Sequence, residues 1–120
     1  MKNNFYITTP IYYPSAKPHM GHAYSSIVAD FFARFKRISE HNVFFLTGTD
    51  EHGQKIQRAA LEAKKDTLDF CNEISSNFKD LSVVLNLSND DFIRTTEKRH
   101  KKAVENLWNI LEKKNEIYLS

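Results

Sequence analysis

The order of apolar segments in the first half of the chain is the feature that most restricts its fold. Residues 5–9 (FYITT) are β-branched and aromatic and predict a strand. Three prolines between residues 10 and 18 predict an irregular loop, and a helical pattern begins at Gly21. Residues 43–47 (VFFLT) form a second short apolar run, typical of a strand that is buried on both faces. Strand, helix and strand in this order predict a parallel βαβ unit and therefore the α/β fold class.

The helical pattern after Gly21 carries one apolar stripe. Its members are spaced three and four residues apart along the chain: Tyr24, Ile27, Val28, Phe31, Phe32, Phe35 and Ile38. After the second predicted strand, residues 48–53 (GTDEHG) predict a loop and residues 54–63 predict a second helix.

The rest of the chain is predicted to be mostly helical, with a third strand at residues 91–95. One helical stripe comprises Leu68, Cys71, Ile74, Phe78, Leu81 and Leu85, and another comprises His100, Val104, Leu107 and Leu111, with Trp108 beside it. We expect Cys71 and Trp108 to lie in the core. Residues 117–119 look like the start of a further strand. Because a doubly wound sheet contains more strands than these, we expect the chain to be part of a longer enzyme.

Composition and charge exclude few partners but favour one compartment. The 17 Lys and Arg residues nearly balance the 15 Asp and Glu residues, so the net charge of +2 requires no acidic partner. Cys71 is the only cysteine, which rules out an internal disulfide and is typical of a reducing compartment. The start of the chain lacks a signal-peptide pattern, and no stretch approaches the ~20 apolar residues of a membrane helix. We therefore expect a cytoplasmic protein with no membrane partner.

The motif HMGH at residues 19–22 lies between the proline-rich loop and the first helix. A helix start offers unpaired backbone N–H groups and the positive end of the helix dipole, which suit phosphate. His19 and His22 are three residues apart and should point the same way, while Gly21 leaves room for a flat base. This arrangement suits nucleotidyl transfer, in which fixed donors stabilise charge on the α-phosphate. A surface histidine pair that caps the helix remains an alternative, whereas zinc is disfavoured because no third ligand lies nearby.

A second candidate site follows the second predicted strand. Ligands of parallel α/β sheets bind beyond the carboxyl ends of the strands, so the loops after the first two strands should open on the same side. Asp50 in the second of these loops would suit an ammonium group. The alternative is that Asp50 caps the following helix.

Two segments together, KPHMGHAYSSIVADFFARFKR and FFLTGTDEHGQKIQRAA, closely resemble the bacterial methionyl-tRNA synthetases, which are class I aminoacyl-tRNA synthetases. HMGH stands where that family carries its HIGH signature, and DDFIRTTEKRHKKAV resembles the stretch that follows. The resemblance implies the first half of a Rossmann-like (HUP-type) parallel-sheet nucleotide-binding domain, truncated in this chain. It also implies an enzyme that activates methionine with ATP to methionyl adenylate and transfers it to tRNA(Met).

The resemblance assigns roles to individual residues. His19 and His22 match the catalytic pair that holds the ATP phosphates, and Gly21 matches the glycine under the adenine. Tyr12 belongs to the same ATP-binding region, and Mg²⁺ would accompany ATP.

The methionine-binding positions of the family match a different set of residues. Ile11 and Tyr13 match pocket residues that touch the amino acid, and Asp50 matches the carboxylate that binds its α-ammonium group.

The family pattern also implies a domain division. Residues 1–115 would form the first half of the catalytic domain, and residues 116–120 would begin the connective insertion, with a zinc-bearing knuckle beyond residue 120. The KMSKS loop and the anticodon-binding domain of the family do not occur in these 120 residues. We therefore expect this chain to be inactive by itself.

Two alternative functions stay open at this point. One is a small HxGH nucleotidyltransferase, which TDEHG and the long helical continuation disfavour. The other is a noncatalytic synthetase-like binding module, which the presence of both histidines disfavours. A basic cluster could touch tRNA, but its alternation with glutamates favours a solvated helix face; it comprises Lys98, Arg99, Lys101 and Lys102.

Overall fold

The structure of the protein, a computed structural model, describes residues 2–119. Its elements follow the order β1 (Asn4–Thr8), α1 (Met20–Ile38), β2 (Asn42–Thr49), α2 (Gln54–Glu62), α3 (Thr67–Val84), β3 (Asp91–Arg94) and α4 (Lys98–Lys113). The strands form one parallel sheet in the order β1-β2-β3. The predicted α/β class and the βαβ unit are therefore confirmed.

Strand β2 extends further than the sequence predicted. Gly48 and Thr49, which were expected in a loop, pair with Ile93 and Arg94 of β3. A Cβ atom on Gly48 would lie 2.0 Å from the carbonyl oxygen of Ile93. The missing side chain thus allows the two strands to approach, and the added pairing moves the start of the loop to Asp50.

One face of the sheet is covered by helices α1 and α3. The α1 side of this core contains Ala29, Ala33 and Phe45, with Ile7 and Val43 packed against them. On the same face of β2, the Thr49 hydroxyl lies 3.1 Å from the Ser75 hydroxyl of α3. Since Phe45 and Thr49 are four residues apart on one strand, their side chains point to the same side of the sheet.

The opposite face of the sheet carries two stacked aromatic rings. Tyr6 of β1 and Phe44 of β2 lie 6.0 Å apart between ring centroids and are 62% and 47% exposed. The prediction that β2 is buried on both faces is therefore wrong, because no helix within residues 2–119 covers this second face.

Helix α1 turns a face of small side chains to the sheet and leaves its apolar stripe uncovered. Its buried residues are Ser26, Ala29, Asp30 and Ala33. The predicted stripe from Tyr24 to Ile38 is 40–83% exposed. Small side chains on the contact face let the helix lie close to the fully buried Phe45, which a row of aromatic rings would prevent.

The larger core lies between the sheet, α2 and α3. It comprises Tyr12, Ile56, Ala60, Phe70, Cys71, Ile74 and Phe78. The stripe predicted for α3 supplies three of these residues, and Cys71 is 1% exposed, as expected of a core cysteine. Burial raises the pKa of its thiol.

Helix α4 projects from the sheet and buries none of its residues. Trp108 is 54% exposed, so its predicted place in the core is wrong, because α4 meets no apolar surface within residues 2–119. Arg99 attaches the helix to β3 by donating to the Asp91 carboxylate (3.0 Å) and to the Phe92 carbonyl (3.1 Å).

Residues 117–119, which were expected to begin a strand, form no strand. The lysines of the basic cluster are exposed, as a solvated face requires.

Candidate active site

Two histidines cap the start of α1 reciprocally. His19 is the N-cap residue, with extended backbone angles, and its Nδ1 accepts a hydrogen bond of 3.1 Å from the Gly21 backbone N–H. In return, Nδ1 of His22 accepts a bond of 3.1 Å from the His19 backbone N–H. The predicted alternative, a histidine pair that caps the helix, is therefore confirmed for the Nδ1 atom of each ring. The Nε2 atom of each ring makes no capping bond and can contact a ligand.

The capping bonds determine which nitrogen carries the proton in the neutral rings. A nitrogen that accepts a hydrogen bond is unprotonated, so the proton lies on Nε2 of His19 and of His22. The two ring centroids are 3.9 Å apart. The start of α1 thus offers two neighbouring Nε2–H donors of fixed tautomer.

The ring of His22 packs against two aromatic rings. Tyr12 and Phe78 contact it edge-on, at 4.8 Å and 5.0 Å between ring centroids. The Tyr12 hydroxyl lies 2.9 Å from the Ser26 hydroxyl and donates a longer bond of 3.3 Å to the His22 carbonyl. Burial, and next the proximity of His19, lower the pKa of His22 below its usual value. The lowered pKa favours the neutral imidazole, whose Nε2–H can donate a hydrogen bond.

A cavity of about 350 Å³ opens beside the two histidines. Its lining comprises Ile11, Tyr12, Tyr13, Ser15, Ala16, Lys17, His19, His22 and Lys55. The Lys55 ammonium lies 5.8 Å from the centre of the Tyr13 ring. Two lysines and two imidazole donors, with no carboxylate in the lining, favour a polyanionic ligand.

The structure brings most of the sequence-predicted site residues together in this cavity. Ile11, Tyr13 and the two histidines all line it, although Ile11 is 44% and Tyr13 54% exposed. Tyr12 also lines it, but its side chain is 7% exposed and mainly supports His22.

Gly21, which lies between the histidines, has a reason for being glycine that the sequence did not reveal. A Cβ atom at this position would lie 3.0 Å from Cε1 and 3.2 Å from Nδ1 of His19. A larger residue would therefore require the capping ring of His19 to shift by a few tenths of an ångström.

Asp50 lies beside the cavity rather than in its wall. Its backbone N–H donates a bond of 2.9 Å to the carbonyl of Tyr12, next to the bridge between Tyr12 and Thr49. The alternative role as a helix cap is wrong, because Gly53 is the N-cap of α2 and no side chain bonds to that cap. The Asp50 carboxylate, partly buried, is therefore available to a ligand at the end of β2.

Sequence reasoning missed the residue next to Asp50. The Glu51 side chain is fully buried and accepts two hydrogen bonds from Arg94, from Nε (2.6 Å) and Nη2 (2.9 Å). It also accepts bonds from the hydroxyls of Thr49 (2.8 Å), Ser75 and Thr96. Burial alone would raise the pKa of Glu51, but these donors outweigh burial and lower it. The only signal in the sequence was the second carboxylate of TDEHG, and the motif does not show which distant residues bind it.

Within residues 2–119, no three potential metal-ligating side chains cluster together. None of the helices in this described part is long and apolar enough to cross a membrane.

Comparison with known proteins decides the family. The family model described as tRNA synthetases class I (M) matches residues 5–120. The chain belongs to this family. The resemblance seen in HMGH and TDEHG is thereby confirmed over nearly the whole sequence.

Individual members of the class I (M) family are close in sequence. The "Methionine--tRNA ligase" of Rickettsia bellii (strain RML369-C) is 53% identical over 118 residues, which are 98% of this chain and 23% of that protein. The protein of the same name from Listeria monocytogenes serovar 1/2a is 52% identical over 118 residues, 98% of this chain and 18% of the relative. The chain thus spans less than a quarter of the length of these curated relatives.

Solved structures of synthetases share the fold. Mycobacterium tuberculosis methionyl-tRNA synthetase in complex with methionyl-adenylate matches with a TM-score of 0.89 and 45% identity, over 92% of this chain and 22% of that chain. Agrobacterium radiobacter K84 LeuRS, in a ternary complex with tRNA and LeuAMS, matches with a TM-score of 0.81 at 22% identity, over 98% of this chain and 15% of that chain. The second likeness shows the fold alone. Together they confirm the Rossmann-like half-domain that the sequence implied.

Proposed function

We propose that this chain supplies one half of the active site of a methionine–tRNA ligase. In this reaction methionine and ATP give methionyl adenylate and pyrophosphate, and the methionyl group is then transferred to tRNA(Met). Family membership and the names of the relatives support the proposal, as does the methionyl-adenylate bound to the M. tuberculosis enzyme. Membership favours a synthetase over the alternative of a small HxGH nucleotidyltransferase.

The observation that carries the proposal is the cavity beside the paired histidines. In adenylate formation, negative charge builds on the α-phosphate as the methionine carboxylate attacks and pyrophosphate leaves. The Nε2–H groups of His19 and His22 can donate to this charge, and Lys17 and Lys55 can neutralise the outer phosphates. Because both tautomers are fixed by backbone bonds, the donors need no rearrangement during the reaction.

The methionine would lie at the end of β2, against Ile11 and Tyr13. Asp50 would bind its α-ammonium group, and the neighbouring carboxylate of methionine would face the α-phosphate. That carboxylate is ionised at neutral pH, so the reaction needs no general base. The protein contributes position and electrostatic stabilisation.

Mg²⁺ would be held by the phosphates of ATP. No carboxylate lines the cavity, so the described residues offer no ligand set of the kind that Mg²⁺ takes from a protein. We infer that the ion enters with the nucleotide.

We further propose that the protein acts in the cytoplasm and binds tRNA(Met) through the complete enzyme. The division at residues 115 and 116, and a zinc-bearing knuckle beyond residue 120, stay predictions that follow from the family pattern.

The proposal is tested by ATP–pyrophosphate exchange with the complete gene product. We expect exchange that depends on methionine and not on other amino acids. Exchange that depends on a different acid or on a nucleotide would favour a nucleotidyltransferase instead. Binding of ATP or methionine without any exchange would favour a noncatalytic module.

A further inference from the structure

We propose that Glu51 is a positioning residue for methionine, and that it acts by holding the carboxylate of Asp50 at the end of β2. This inference rests on the proposed function, since it gives Asp50 a methionine to bind.

The first step of the argument is the number of segments that converge on Glu51. Its carboxylate joins the end of β2 through Thr49, α3 through Ser75, β3 through Arg94 and the following turn through Thr96. A buried carboxylate with donors from four segments has one position only, because any shift breaks a charge-assisted bond.

The second step is the backbone on either side of Asp50. Before it, the Asp50 N–H is bound to the Tyr12 carbonyl at 2.9 Å. After it, the Glu51 N–H donates a bond of 2.8 Å to the Thr95 hydroxyl. The Asp50 backbone is therefore held at both ends, by the loop after β1 on one side and by the turn after β3 on the other.

The third step is that the Asp50 side chain has no hydrogen bond of its own within residues 2–119, the part of the chain that the structure describes. The direction of the Asp50 side chain therefore depends on the Asp50 backbone, which the bonds of Tyr12 and Glu51 fix in place. Weakening the Glu51 cluster should loosen the ammonium site while the histidines, capped on α1, keep their geometry.

The test is steady-state exchange kinetics of Glu51→Gln in the complete gene product. Glutamine keeps the shape but removes the charge that Arg94 pairs with. We expect the KM for methionine to rise about tenfold or more, as loss of a supporting partner does at other sites, with the KM for ATP unchanged.

The matched control is Asp30→Asn. Asp30 is another buried carboxylate, which accepts bonds of 2.6 Å from Arg34 Nε and from the backbone N–H and hydroxyl of Ser88. Both substitutions should lower the melting temperature, but Asp30→Asn should leave the KM for methionine unchanged. If it raised that KM as much as Glu51→Gln, the effect would be general loosening and the inference would be overturned.

A double mutant decides whether Glu51 acts through Asp50. We expect Glu51→Gln to raise the KM for methionine only slightly when Asp50→Asn is already present, because the ammonium-binding carboxylate that Glu51 positions is then absent. Independent, additive effects would overturn the inference. If Glu51→Gln does not fold, Thr96→Val removes one donor only and should raise the same KM by less; an unchanged KM in that folded variant would also overturn it.

The two proposals fail in different ways. Absence of methionine-dependent exchange in the unchanged protein would remove the proposed function and this inference with it. Normal exchange with an unchanged methionine KM in Glu51→Gln would remove the inference alone.

Discussion

At the scale of single residues, each histidine of the HMGH motif uses its two ring nitrogens differently. Nδ1 caps the N-terminus of α1, and Nε2 is left to contact a ligand in the cavity. Under the proposed function, one side chain would both cap the helix and contact the ATP phosphates, and a substitution can separate the two roles.

We expect His19→Ala to lower kcat for adenylate formation by roughly 10²–10³, because one transition-state donor is lost. It should also lower stability by about 1 kcal/mol through loss of the cap. His19→Asn should restore the stability, since asparagine caps well, but not kcat. Exchange kinetics and thermal melting of both variants measure this, and recovery of kcat in His19→Asn would show that the capping bond alone matters.

His22→Ala should reduce kcat by a similar factor, with little change in methionine binding. A loss of methionine affinity with kcat intact would contradict the phosphate role of His22.

Asp50 gives a second prediction at this scale. An ammonium group that leaves water needs a charged partner, so Asp50→Asn and Asp50→Ala should both weaken methionine binding, alanine more, by about 2–4 kcal/mol. ATP binding should be little affected, because no Asp50 atom lines the cavity of the histidines. Calorimetric titration with methionine and, as a control, with ATP tests this. Unchanged methionine affinity in Asp50→Ala would mean that the ammonium site lies elsewhere.

At the scale of elements, β2 and β3 approach each other closely at Gly48, which pairs with Ile93. Alanine there would place its Cβ 2.0 Å from backbone oxygen, and the backbone cannot move aside as a flexible side chain could. We expect Gly48→Ala to cost about 3 kcal/mol or more. Gly53→Ala is the control: it meets no atom within 4 Å and should cost only about 1–2 kcal/mol from its φ of 109°. Denaturant unfolding compares the two, and equal losses would contradict the β2–β3 register.

Elements were predictable from the sequence to different degrees. Local patterns identified the three strands, α1, α2 and α3, because periodicity and prolines act within a few residues. The pattern could not show which side of α1 meets the sheet. That choice depends on Phe45, which lies more than ten residues from Ala29 and Ala33 in the chain but directly against them in the fold.

At the scale of the whole molecule, the described chain is more open than its length suggests. Its radius of gyration is 16.9 Å, against about 14 Å for a compact domain of this size. The projecting α4 extends the molecule, since none of its residues is buried. The apolar stripe of α1 is also uncovered, with Phe31 63% and Phe35 52% exposed. Apolar surface of this extent favours association.

We therefore expect the 120-residue chain by itself to show no methionine-dependent exchange and to self-associate as its concentration rises. The double substitution Phe31→Glu and Phe35→Glu should increase the monomer fraction, because it places charge in the exposed stripe without touching the buried face. Sedimentation measures the association, and circular dichroism checks that the helices remain. A wild-type chain that stays monomeric, or that catalyses exchange above background, would contradict this expectation.

The sequence by itself determined the α/β class, the order of its elements and the family, because these follow from local periodicity and from two short motifs. It also indicated His19, His22 and Asp50 as the residues of interest. The tertiary structure decided how these side chains are held. Backbone partners set the histidine tautomers, Tyr12 and Phe78 support His22, and Glu51 draws together four segments that lie up to 47 positions apart in the chain. Such interactions depend on distance in space, and no pattern of neighbouring residues records which hydroxyl or guanidinium will meet a buried carboxylate.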